Sequence, residues 1–95
     1  VSRVAEFGIL IGDKGVRGKG VGRDATKLML EYGFRTLNLN RIWLRVTQGN
    51  AAAIRVYERL GFQREGVLRQ AFFADGALQD VLVMGLLAGE WHKPA

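Results

Sequence analysis

Cysteine is absent from the 95 residues, which excludes disulfide staples, thiolate zinc sites and cysteine nucleophiles. Histidine occurs once, at His92 near the end, and no His-Glu-x-x-His or other metal-ligand spacing is present, so no metal is expected. The single proline, Pro94, also sits in the tail. No apolar run approaches the roughly 20 residues that a bilayer-spanning helix needs, so no membrane partner is expected. The opening Val1-Ser2-Arg3-Val4 carries neither a secretory leader nor a transit peptide, and a cytoplasmic chain is expected. It also lacks an initiator methionine, which points to something preceding residue 1.

Acidic residues are the minority: nine Asp plus Glu face fourteen Lys plus Arg, a formal charge of +5. That balance suits anionic partners such as nucleic acid or phosphorylated cofactors without choosing among them. The basic residues are mostly scattered, and the one dense spot is Lys14, Arg17, Lys19 and Arg23. With 48% hydrophobic and 24% charged residues the chain can bury a core and lacks the disordered signature. Its length suits one domain, residues 1–95.

Hydrophobic periodicity divides the chain into six elements. Glu6–Gly12 reads as a buried strand, with Phe7, Ile9, Leu10 and Ile11 ahead of the turn residues Gly12-Asp13-Lys14-Gly15. Asp24–Leu37 reads as a helix with two apolar stripes, Ala25, Leu28, Met29 and Tyr32 on one and Leu30, Phe34 and Leu37 on the other. The run Asn38–Asn40 ends it. Arg41–Thr47 alternates, with Ile42, Leu44 and Val46 on one face and Arg41, Trp43 and Arg45 on the other, which is a strand. Asn50 is placed to cap a second helix whose inward residues are Ala53, Ile54, Tyr57 and Leu60. Gly61 is its left-handed stop, and Phe62 is placed to pack back on the last turn. Val67–Phe73 and Leu78–Leu87 are two more strands joined by Ala74-Asp75-Gly76-Ala77, whose Asp-Gly pair is a hairpin signal. The fold expected is α/β: a β-α-β unit with a parallel pair, then a helix and an antiparallel hairpin, sharing one mixed sheet. Trp43, Trp91 and the phenylalanines are assigned to packing, and His92 to a frayed tail.

Arg17-Gly18-Lys19-Gly20-Val21-Gly22 lies between the first strand and the first helix. Glycines at alternate positions let successive backbone N–H groups turn to one side, with the positive end of a helix behind them. With Arg17, Lys19 and Arg23 they make a cradle suited to a pyrophosphate. A P-loop would need glycine at position 13 and Ser or Thr after Lys19, where Asp13 and Gly20 stand. A dinucleotide site would need an acid at the end of the next strand, which reads Arg45-Val46-Thr47-Gln48. Both nucleotide readings fail.

Arg17-x-x-Gly20-x-Gly22 resembles the acyl-CoA pyrophosphate loop of the GCN5-related N-acetyltransferases, and Asn50-Ala51-Ala52-Ala53-Ile54-Arg55-Val56-Tyr57-Glu58-Arg59-Leu60-Gly61-Phe62 resembles the following helix of that family. Ile11-Gly12-Asp13-Lys14 and the Phe72-Phe73-Ala74-Asp75-Gly76 hairpin look most like its branch of ribosomal-protein N-terminal and spermidine N-acetyltransferases. The resemblance spans nearly all 95 residues but only the later part of the family fold. Members open with a strand, two helices and two further strands that supply much of the acceptor site. A shortened chain is therefore expected, with the first strand left as a free apolar edge that favours a homo-oligomer, most simply a dimer.

The resemblance implies acetyl-CoA as cosubstrate and direct transfer to a primary amine, either a small molecule or a peptide. Pantetheine would lie along Ile9, Leu10 and Ile11, a backbone N–H near Leu10 polarising the thioester carbonyl. The pyrophosphate would sit on Arg17, Gly18, Lys19, Gly20, Val21 and Gly22. Asn50 would contact the CoA arm, and Tyr57, seven residues on and on the same helix face, would protonate the departing thiolate. The base is open, with Glu6, Glu65 and Asp80 as candidates by charge only. Two other readings stand beside the enzyme: a non-catalytic acyl-CoA-binding module, and a small basic nucleic-acid binder, which no recognised module or aromatic platform supports.

Overall fold

The computed structural model of the chain describes residues 3–7 and 21–91. Strands β1 (Val4–Glu6), β2 (Arg41–Thr47), β3 (Gln63–Ala74) and β4 (Ala77–Leu87) form one mixed sheet in the order β1-β2-β4-β3, with helices α1 (Val21–Glu31) and α2 (Ala51–Arg59) in the connections. This is the expected β-α-β-α-β-β arrangement. β1 runs parallel to β2, pairing Val4 with Arg41 and Glu6 with Trp43, and β4 is antiparallel to both β2 and β3. The hairpin strands therefore are not simply added in sequence: β4 takes the place beside β2 and leaves β3 at the edge.

The central strand follows its alternation. Ile42, Leu44 and Val46 are fully buried and face Leu86, Met84 and Leu82 in register across β4. Leu30 and Phe34 from one helix and Ile54 and Tyr57 from the other close over the same cluster, so both helices lie on one face of the sheet. The other face carries a charged and aromatic row. Glu6 accepts from Arg45 at 2.6 Å, the Arg45 guanidinium lies 6.0 Å from the Trp43 ring centre, and Arg41 forms a two-pronged pair with Glu65. That last pair reaches from β2 to β3 across Gly85 of the strand between, where a Cβ would collide with both side chains.

Several expectations need correction. Of the predicted strand Glu6–Gly12 only Glu6 and Phe7 fall within the described residues; Val4 and Ala5 pair ahead of it, and the Phe7 N–H donates to the Trp43 carbonyl at 2.7 Å. The first helix starts at Val21 rather than Asp24, and its last part, Tyr32–Thr36, widens into a π-helical turn closed by Leu37 N–H to Tyr32 carbonyl at 3.0 Å. Of its stripe Ala25, Leu28, Met29 and Tyr32 only Met29 packs against the core, half-buried; the other three face solvent, as does Leu37, while Thr26, Leu30, Gly33 and Phe34 face inward. Gly33 packs so close to Ile42 that a Cβ there would stand 2.7 Å from its methyl group. Strand β3 starts four residues earlier than expected, at Gln63, and is exposed along nearly all its length, which removes the alternation that would have signalled it. Phe73, assigned to packing, is exposed on the hairpin, whereas Trp91 does pack, its ring centre 5.4 Å from that of Phe34. His92 lies outside the described residues.

Candidate functional site

Helix α2 follows its own capping residues. Asn50 Oδ1 accepts from the Ala53 N–H at 3.3 Å, the N-cap contact that satisfies a free donor of the first turn. At the other end the Gly61 N–H donates to the Glu58 carbonyl at 3.1 Å and the Phe62 N–H to the Tyr57 carbonyl at 2.9 Å. With Gly61 at φ 108° this is a Schellman stop. Phe62 then meets the Tyr57 ring edge-on, 5.8 Å between centres, so the helix stop also fixes the Tyr57 ring.

Tyr57 is 3% exposed and belongs to the hydrophobic core. Burial pushes its phenol above the ordinary tyrosine range, and a hydrogen bond with Thr26 of α1 draws it partly back. The group is therefore a neutral proton donor at pH 7. Thr26, which sequence reasoning passed over, is 0% exposed. Its signal was legible: a β-branched hydroxyl residue stands four positions before Leu30 on the inward stripe, where an aliphatic residue would pack as well.

The remaining candidates divide. Asn50 and Tyr57 share α2, and α1 begins at Val21, directly after the glycine-rich segment, with Val21 and Gly22 in its first turn. Ile9, Leu10, Ile11, Arg17, Gly18, Lys19 and Gly20 lie outside the described residues. Each candidate base is committed to a structural partner. Glu6 holds Arg45, Glu65 holds Arg41, and the Asp80 carboxylate accepts the N–H of Gln70, a residue at φ 51° in the bulge of β3. Arg41 also holds the Glu65 carboxyl below its usual range, so Glu65 is a weak base. A hollow of about 770 Å³ beside that bulge is lined by Val67, Leu68, Arg69, Gln70 and Asp80 and includes neither Asn50 nor Tyr57. Among the described residues no group of three or more His, Cys, Asp or Glu is arranged to hold a metal ion, and no helix is long and apolar enough to cross a membrane.

Residues 1–63 match the family described as Acetyltransferase (GNAT) domain. The chain belongs to this acetyltransferase family. The GNAT match takes in both segments that carry the resemblance in sequence, Arg17–Gly22 and Asn50–Phe62. Spermidine N(1)-acetyltransferase of Escherichia coli is 42% identical over 96 residues, covering 98% of this chain and 51% of that protein. The crystal structure of spermidine N-acetyltransferase from Vibrio cholerae in complex with CoA and spermine superposes with a TM-score of 0.79 at 40% identity, over 95% of this chain and 53% of that one. A structure of the Vibrio cholerae spermidine/spermine enzyme in complex with manganese ions superposes with a TM-score of 0.78 at 41% identity, over 93% and 51%. The chain thus spans about half the length of the curated relatives it matches, and its mixed sheet with two helices is a partial GNAT fold.

Proposed function

We propose that residues 1–95 form a single acetyl-CoA-binding domain of an N-acetyltransferase that passes the acetyl group directly to a primary amine. The observation that carries this reading is Tyr57. It stands where the sequence resemblance puts the leaving-group acid, is buried with its hydroxyl kept protonated, and its ring is fixed by the stop of the helix that Asn50 caps. Bound acetyl-CoA supplies an acyl thioester. The backbone N–H near Leu10 polarises its carbonyl, with Ile9 and Ile11 beside it as further contacts to the pantetheine arm. Arg17, Gly18, Lys19, Gly20, Val21 and Gly22 hold the pyrophosphate ahead of α1. Asn50 spends its carbonyl oxygen on the helix cap, which leaves its amide nitrogen to donate to the CoA arm.

The amine nitrogen forms its bond to the carbonyl carbon as the carbon–sulfur bond breaks. Tyr57 gives its hydroxyl proton to the sulfur, and the surplus proton on nitrogen passes to water, because Glu6, Glu65 and Asp80 are tied to other partners. The acceptor we place first is a polyamine, in line with the spermidine and spermine named for the relatives. The reaction is placed in the cytoplasm, and the chain in a homo-oligomer, most simply a dimer.

Mass spectrometry after incubation with acetyl-CoA and a panel of polyamines, peptide N-termini and aminoglycosides tests the activity. An acetylated amine is expected, with turnover in Tyr57→Phe reduced roughly 10²–10⁴-fold at unchanged CoA affinity, the range for a general acid. CoA binding without acetylation of any amine would replace the enzyme reading with that of a binding module.

A further inference from the structure

Two polar side chains are buried among the described residues, Thr26 and Thr47. Burying a hydroxyl is unfavourable unless it finds a partner, and a β-branched residue inside a helix is a poor helix former. Position 26 sits on the stripe with Leu30, where valine, equally β-branched, would fill nearly the same space without a hydroxyl to bury. The hydroxyl is therefore retained for what it touches, the hydroxyl of Tyr57 on α2.

Each of these two hydroxyls has one proton and lone pairs to share. If Tyr57 gave its proton to Thr26, that proton would point away from any reacting sulfur. When Thr26 donates instead, the phenolic proton is free to point elsewhere while the oxygen stays anchored. The ring also packs edge-on against Phe62, 5.8 Å between centres. Thr26 also belongs to the helix that opens at Val21, so its place beside Tyr57 is set by the packing of α1 on α2.

We propose that Thr26 is a positioning residue for acetyl transfer, donating its hydroxyl to the Tyr57 oxygen so that the phenolic O–H is directed at the thioester sulfur and the phenolate left behind is stabilised. This rests on the reading of Tyr57 as the leaving-group acid. In that step the proton leaves the Tyr57 oxygen for the sulfur as the carbon–sulfur bond breaks. The electron pair stays on the phenolate, Thr26 hydrogen-bonds it, and water returns the proton. Burial alone makes the phenol reluctant to release a proton, and the Thr26 bond works in the opposite direction.

Thr26→Val removes the hydroxyl and keeps the shape, whereas Thr26→Ser keeps the hydroxyl. With the 95-residue chain and whichever amine it acetylates, Thr26→Val should lower kcat about 10- to 100-fold, the size of a hydrogen bond to a charge. CoA affinity and KM should hold, Thr26→Ser should recover most of the rate, and Thr26→Val should cost nothing further in a Tyr57→Phe background. Independently of turnover, the chain has two tyrosines, so ultraviolet titration in a Tyr32→Phe background follows the buried phenol of Tyr57 alone. Thr26→Val should move that ionisation to higher pH. A wild-type rate in Thr26→Val beside a slow Tyr57→Phe would overturn the role of Thr26 alone. A wild-type rate in Tyr57→Phe would remove the acid and its positioning residue together. A loss in Thr26→Val that adds to that of Tyr57→Phe, or an unmoved phenol titration, would return Thr26 to helix packing.

Discussion

The two helices contrast in how far local sequence decides them. Helix α2 starts where Asn50 caps it, stops where Gly61 turns left-handed, and buries the side its spacing predicts. Helix α1 carries apolar residues on two stripes and widens into a π-helical turn; Leu30 and Phe34 of one stripe are buried, whereas Leu28 and Tyr32 of the other are exposed. Capping is a contact within a few residues, so the chain carries it wherever the helix docks. The choice between two apolar stripes depends on which surface a helix meets, and that surface comes from distant strands.

The largest break in the comparison is Leu30→Ala. At 2% exposure on the chosen stripe, its loss should cost about 2–5 kcal/mol in urea unfolding. Gly61→Ala attacks the stop of α2 by forcing a side chain into a left-handed backbone, and should cost about 1–2 kcal/mol by the same measurement. Asn50→Ala removes the cap and should cost about 1 kcal/mol, with fraying of the first turn of α2 visible as faster amide exchange.

Acid titration probes the sheet outside both helices. Arg41 holds the Glu65 carboxyl below its usual value, so the stabilisation is fully present above the unfolded value near pH 4.3. It is lost as pH falls through the lower folded value. For a partly exposed pair the contribution is under about 1 kcal/mol, and Glu65→Gln should flatten that acid limb. The smallest effect belongs to Leu28→Ala: at 71% exposure it should shift stability by less than about 0.5 kcal/mol, and a Leu30-sized loss would mean that the outer stripe is covered.

Much of the candidate site was legible because its marks are local. Asn50, Tyr57, Gly61 and Phe62 stand at spacings that only a capped helix explains, and the Asp75-Gly76 turn appears with both residues at positive φ, as a two-residue hairpin demands. Strand β3 was less legible. An edge strand exposed on both sides carries no alternation, and its bulges at Glu65 and between Leu68 and Phe72 break the period that remains. Thr26 was missed because its partner stands on another helix, 31 residues away.

By itself the sequence determined the element types, the central strand with its buried face, the caps of α2, and membership of an acetyltransferase family through two ordered motifs. These rest on backbone chemistry within about a dozen residues, which acts before the chain is packed. Only the tertiary structure decided that β4 inserts beside β2, that Leu30 rather than Leu28 meets the core, and that Arg41 and Glu65 close over Gly85. It also placed Thr26 on the Tyr57 hydroxyl. Each is a choice among partners that local sequence leaves equivalent, settled by which surfaces can be buried together without an unpaired polar group.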